Sequence, residues 1–265
     1  GTLFRRADLA DPALARCRYT GRVPRGFFFV ACLIVTGCAY DFSLPAEHRD
    51  PCAAGDLEVI VCDDVERTGN ALDQVLYQDR SESPNIVVDG SRVLAFDPPD
   101  HRAEWLKTHP TESVSRARLR FALRVVQRPA INTRQIAPLR FGQGGAGAPE
   151  ARLYLHVLPD GRMRFLEEFD DGVANSNTGF ELPAVDAGFH VYELEVDLRT
   201  ATVSLDIDGR PALRPGSTFP NLARIGSSAP VSLLLGANYA PQPEPGRESE
   251  AAVILHFDEV LLAAR

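Results

Sequence analysis

The stretch "SRARLRFALRVV", residues 115–126, decides how this chain reads. Ala117, Leu119, Phe121, Leu123 and Val125 fall on one side of an extended chain, and Arg116, Arg118, Arg120 and Arg124 on the other. Strand side chains alternate with a period of two, so this pattern predicts a half-buried β-strand whose basic face points outward. Downstream, "FHVYELEVDLRTATVSLDIDGRPAL", residues 189–213, sets Tyr192, Leu194, Val196 and Leu198 on one face. After a turn near residues 199–201 it sends Val203, Leu205 and Ile207 inward, and Asp208 and Gly209 supply the next turn.

The same grammar continues on both sides. A strand running to Phe141, a glycine-rich excursion "GQGGAG" at 142–147, a strand over Leu153–Leu158, a "PDG" turn and a strand from Arg162 make a hairpin series. Further strands are expected over Leu57–Val61, Ile86–Val88, Val93–Phe96, Val231–Leu235 and Ala252–Leu262. Residues 67–85 read as loop, and residues 102–107 are ambiguous between helix and strand. Short strands joined by Gly, Pro and Asp turns predict an all-β, antiparallel sandwich or barrel, and no fixed-period repeat suggests a propeller or solenoid.

The greasy run "FFFVACLIV" at 27–35 is flanked by Arg16, Arg22 and Arg25 and is about half the roughly 20 residues a membrane-spanning helix needs. It ends in "VTGC", residues 35–38, which resembles the lipobox of bacterial lipoproteins. That resemblance implies a signal peptide over 1–37, a lipid on Cys38 and, with Ala39 following, the outer membrane of the cell envelope. An ordinary cleaved signal and a short packed helix are the alternatives. Residues 38–56 read as a tether, and residues 57–265 as the folded domain. In an oxidising envelope, Cys52 and Cys62, ten apart, most simply form a disulfide that closes a small loop; two exposed thiols are the alternative.

With 28 Lys and Arg against 36 Asp and Glu, the chain has a formal charge of −8 and gives no general reason to expect nucleic acid as a partner. "CDDVE" at 62–66, "GFHVYELEVDLRTATVSLDIDGRPAL" at 188–213 and "LHFDEVLLA" at 255–263 together resemble the concanavalin A-like lectin/glucanase sandwich, a jelly roll, and especially its laminin-G-like members. In that family the final strand lies beside the first. The resemblance implies a fold that carries enzymes, lectins and adhesive modules alike.

Glucanases of this fold place two carboxylates on alternate positions of one strand, in an E-x-D-x-(x)-E run beside tryptophans. The candidates here are "EEFDD" at 167–171, whose outward pair is Glu168 and Asp170, and "ELEVD" at 193–197; neither matches that run. The only tryptophan is Trp105, outside both. No catalytic set is therefore assigned. For a binding module, Arg118, Arg120 and Arg124 with Tyr154 and His156 are nominated as ligand contacts for an acidic sugar. The alternative is that each arginine offsets Glu193 or Glu195 on a neighbouring strand. Asp170, Asp171, Asn175 and Asn177 supply hard oxygen donors that suit Ca2+, with a plain polar turn as the alternative. The expected partner is a glycan or an envelope protein, with the membrane reached through the N-terminal lipid.

Overall fold

The computed structural model describes residues 52–63, 77–80, 87–89, 93–97, 102–142, 148–173, 175–214, 217–238 and 243–265. The expected signal segment, Cys38, and the tether up to residue 51 lie outside the described residues.

In chain order the strands are β1 Glu58–Asp63, β2 Tyr77–Arg80, β3 Val87–Asp89, β4 Val93–Phe96, β5 Glu104–Thr108, β6 Ser113–Val114, β7 Arg116–Gln127 and β8 Arg134–Phe141. They continue as β9 Glu150–Val157, β10 Met163–Asp170, β11 Asn175–Glu181, β12 His190–Asp197, β13 Thr202–Ile207, β14 Arg210–Pro211, β15 Ala229–Ala237 and β16 Ile254–Ala264. Sheet A runs β14-β13-β12-β7-β16-β4-β3, with β1 also paired to β16. Sheet B runs β11-β10-β9-β8-β15-β5-β2, with β6 on β15. The first and last strands are neighbours, as the family resemblance implies.

The core lies between the sheets. The alternation of β7 holds: Leu119, Phe121 and Leu123 are buried, and Phe121 stacks on Tyr192 of β12 at 5.5 Å between ring centroids. Phe257 of β16 meets Phe96 of β4 edge-on at 5.5 Å. Polar links cross between the sheets as well. The Tyr192 hydroxyl donates to the Met163 sulfur of β10 at 3.2 Å, and the Tyr77 hydroxyl donates to buried Asp63 at 3.0 Å.

Several expectations shift. The ambiguous segment near residue 102 is strand β5, because Leu106 and Thr108 are buried while Trp105 and Lys107 alternate outward. Strand β2 lies inside the segment read as loop. Residues 52–56, read as tether, are tied to the domain. Cys52 is disulfide-bonded to Cys62 with Cα atoms 5.5 Å apart, and Ala54 packs on Leu261 and Ala263.

Candidate functional site

The structure separates the five nominated ligand contacts. Arg118, Arg120 and Arg124 stand on sheet A, whereas Tyr154 and His156 stand on β9 of sheet B, so the five do not form one site. On sheet A the cross-strand alternative accounts for Arg118 and Arg120. The register sets Arg118 opposite Glu195 and Arg120 opposite Glu193. The Arg118 Nε donates to Glu195 at 2.9 Å and lies 3.6 Å from Glu193, while Arg120 pairs with Glu259 of β16 at 3.2 Å. Arg124 is exposed opposite His256. The second acidic run, Glu193, Glu195 and Asp197, is thus the solvated half of an ion-pair ladder. An open groove of about 280 Å³ lies here, lined by Leu57, Arg116, Arg118, Glu195, Thr202 and Ser204.

The outer face of sheet B is built differently. On β9, Leu153, Leu155 and Val157 enter the core, so Arg152, Tyr154 and His156 point away from it. On β10, Phe165, Glu167 and Phe169 are buried, which turns Arg164, Glu168 and Asp170 to the same outer face. The register then sets Gln135 opposite His156, Arg140 opposite Arg152, and Arg152 opposite Glu168. Although they face outward, Tyr154, Glu168 and Glu150 retain only 4%, 8% and 3% of their accessible surface.

Burial at this level requires that the polar atoms be paired. The Tyr154 hydroxyl donates to Glu168 Oε2 at 2.9 Å, and the Arg152 Nη1 donates to Glu168 Oε1 at 3.4 Å. Glu150 accepts from Arg152 and from the Arg140 Nη2, the latter at 2.5 Å. Arg152 also lies 3.9 Å from Asp170. The chain Arg140, Glu150, Arg152, Glu168, Tyr154 is therefore a continuous network across three strands, and the His156 ring lies 5.2 Å from that of Tyr154.

Electrostatics follow from the burial. It pushes the His156 imidazole down to about 4, with Glu168 opposing and the Arg164 guanidinium adding to the shift, so His156 is neutral at pH 7. Burial, with the charge of Glu168, also holds the Tyr154 phenol well above its ordinary range. Burial works against the Arg152 charge, but the hydrogen bond and charge of Glu150, helped by Glu168 and Asp170, leave it more firmly protonated. At neutral pH the face thus presents a neutral imidazole, a phenol and hydrogen-bonded carboxylates. These groups match the hydroxyl donors and acceptors of a polar ligand.

Trp105 and Lys107 belong to the same outer face, two strands beyond β8, opposite Gly236 and Leu234. They are the only tryptophan and the only lysine in the chain. Between them and the network both middle strands are irregular. Strand β8 bulges at Ala137, φ 49°, and β15 passes through Gly236 at φ 122°, where a Cβ would lie 2.6 Å from the Phe96 ring.

The carboxylate pair Glu168 and Asp170 does face outward from one strand, as the sequence pattern implied. Neighbouring Glu167 points inward, accepts the Leu222 N–H at 2.5 Å, and pins the short 3-10 turn Leu222–Ile225 under the sheet. The four residues nominated for Ca2+ flank the turn between β10 and β11. Asn175 and Asn177 open strand β11, in register with Asp170 and Glu168. Asp170 and Asp171 each accept a backbone N–H, from Gly172 and Val173, and Asp171 also accepts from Arg224 at 3.0 Å. These carboxylates are the turn's own hydrogen-bond acceptors. Among the described residues, no group of three or more His, Cys, Asp or Glu is placed to hold a metal.

No family model matches the sequence, and no curated protein matches it. Solved structures do resemble the chain. A mutant alginate lyase in complex with an alginate trisaccharide aligns with TM-score 0.56 at 10% identity, covering 78% of this chain and 98% of that one. A non-specific endo-β-1,3(4)-glucanase of family GH16 aligns with TM-score 0.55 at 12% identity, covering 80% and 92%. The laminarinase catalytic domain from Thermotoga petrophila RKU-1 aligns with TM-score 0.54 at 12% identity, covering 78% and 97%. At such identities the likeness shows the fold: an antiparallel jelly-roll β-sandwich of the concanavalin A-like lectin/glucanase kind.

Proposed function

We propose that the outer face of sheet B binds a glycan, and that the chain is held in the bacterial cell envelope, at the outer membrane, by lipid on Cys38. One observation carries the glycan reading. Outward-facing polar side chains on β8, β9 and β10 are almost fully withdrawn from water and already held by one another, beside the aromatic rings of Tyr154 and His156. Polar groups fixed before the ligand arrives lose little entropy on binding, which is how a sugar-sized ligand is held with useful affinity. Neighbouring structures of the same fold include enzymes that act on polysaccharides, and one holds an alginate oligosaccharide. Those facts support the reading at the level of the fold.

Trp105 makes the test direct, because its fluorescence is the only indole signal in the protein. Titration with polysaccharide fragments is expected to change that signal saturably, and Tyr154→Ala is expected to weaken binding at least tenfold. A flat signal across neutral and acidic glycans, with no retention on a glycan array, would leave a structural surface module or a protein partner in its place.

A second reading rests on Glu168 and Asp170, which alternate on one strand and share the outer face. They are the pair that a divergent glycoside hydrolase would use. Release of reducing ends from a polysaccharide panel, abolished in Glu168→Gln, supports it; binding without release supports the non-catalytic module. The lipid is tested by intact mass after expression with the native N-terminal segment. A diacylated or triacylated chain beginning at Cys38, and absent in Cys38→Ala, is expected.

A further inference from the structure

The two sheets end differently on their open sides. Sheet A closes with β14, two exposed residues, Arg210 and Pro211, that cover only Asp206 and Ile207 of β13. A short edge with a proline and a charge is a usual way of blunting a sheet against strand addition. Sheet B closes with β11, seven residues in unbroken register with β10. Its sequence, Asn-Ser-Asn-Thr-Gly-Phe-Glu, contains no proline and no lysine or arginine, and its register carries no bulge.

The ladder parity tells which backbone groups are left over. The Leu182 N–H donates to the Met163 carbonyl, so in the regular antiparallel register Ser176, Thr178 and Phe180 are the residues that hydrogen-bond β10. The N–H and C=O groups of Asn177, Gly179 and Glu181 therefore point off the sheet. All three residues are exposed, and no strand pairs with this edge among the described residues.

We propose that β11 is a dimer edge on which a second copy of this chain adds its own β11 antiparallel. The strand is self-complementary. Pairing about Thr178 sets Asn177 opposite Gly179 and Asn175 opposite Glu181 of the other copy, so no like charges meet and no bulky side chain faces another on the outer row. The two-fold axis of such a pair stands perpendicular to the sheet, so both copies turn the outer face of sheet B the same way. The dimer joins two sheets into one and makes their outer faces bivalent.

Sedimentation velocity on the full 265-residue chain, carrying Cys38→Ala to remove any lipid, tests this over a micromolar concentration series. A dimer is expected. It is expected to become monomeric in Gly179→Pro, which removes an edge donor, and in the double variant Asn177→Lys with Gly179→Lys, which sets lysine against lysine. Melting temperatures are expected to stay within about 2 °C, since an edge strand tolerates such changes. Hydrogen exchange at the amides of residues 177, 179 and 181 is expected to slow as concentration rises. A wild-type monomer throughout the series, or a dimer that survives both variants, overturns the proposal; if the proline variant misfolds, the lysine pair decides.

Discussion

The outer faces of the two sheets both carry arginines against carboxylates, yet they put them to different use. On sheet A, Arg118, Glu193 and Glu195 keep 26%, 36% and 42% of their side-chain surface, so water screens the Arg118 pairs. On sheet B, Glu150 keeps only 4% of its side-chain surface and Glu168 10%, and each partner group is fixed. Exposed pairs contribute little to stability and can be exchanged cheaply. Buried networks hold geometry, and removing one member leaves charge stranded. The difference makes the sheet A stripe a set of exchangeable surface pairs and the sheet B cluster a fixed network.

The largest effect should come from stranding charge. Glu150→Ala removes the carboxylate shared by Arg140 and Arg152 and is expected to cost about 3–5 kcal/mol in urea unfolding. A loss below about 1 kcal/mol would put the two faces on the same footing. Next is pH. The folded-state pKa of His156 lies near 4, below the ordinary value of 6.5, so the unfolded chain takes up its proton first as pH falls. Its contribution is full above about 6.5 and is lost as pH drops toward 4, so His156→Gln should flatten the melting curve in that window.

On sheet A the sign reverses for His190. Burial would lower it, but hydrogen bonds to Asp208 at 2.7 Å and Asp186 at 3.1 Å, with their charges, raise it above 6.5. Its contribution is full below 6.5 and is lost as pH rises through the folded value, so His190→Gln should remove stability at acidic pH. Tyr154→Phe comes next. It deletes one hydrogen bond to a charged acceptor and is expected to cost about 1.5–3 kcal/mol, together with weaker glycan binding. The smallest effect belongs to sheet A: a double-mutant cycle on Arg118→Ala and Glu195→Ala should give a coupling of about 0.2–1 kcal/mol. A coupling above 2 kcal/mol would erase the contrast.

Sheet A was the legible half. Strand β7 is amphipathic with a strict period of two, so its sequence names both faces, and the paired acidic strand β12 follows from the same rule. Sheet B conceals its faces because buried polar residues lie on both of them. In "RFLEEFD", residues 164–170, Glu167 and Glu168 are adjacent and both withdrawn, one pinning a turn below and one joining a network above. No alternation of polar and apolar residues distinguishes them. Tyr154 and His156 were visible as an alternating pair, but Gln135, Arg140, Glu150 and Arg152 were not, because their meeting depends on cross-strand register. Strand β5 was blurred by a polar core position, Glu104, which donates no hydrophobic signal yet is fully buried and accepts the Asp97 N–H. The only available cue was the alternation of Trp105 and Lys107 about Leu106.

The disulfide near the start of the domain has a mechanical meaning. Strand β1 lies against β16, the last strand of the chain, and Cys62 sits near the far end of β1. Tension applied to the chain ahead of Cys52 passes through the sulfur atoms to Cys62 and bypasses the segment between them. Residues 53–61 then carry no load, and β1 cannot be peeled from its first residue. Reduction would return that slack to the line, about 3.3–3.6 Å for each freed residue, and turn a clamped attachment into an unzipping one.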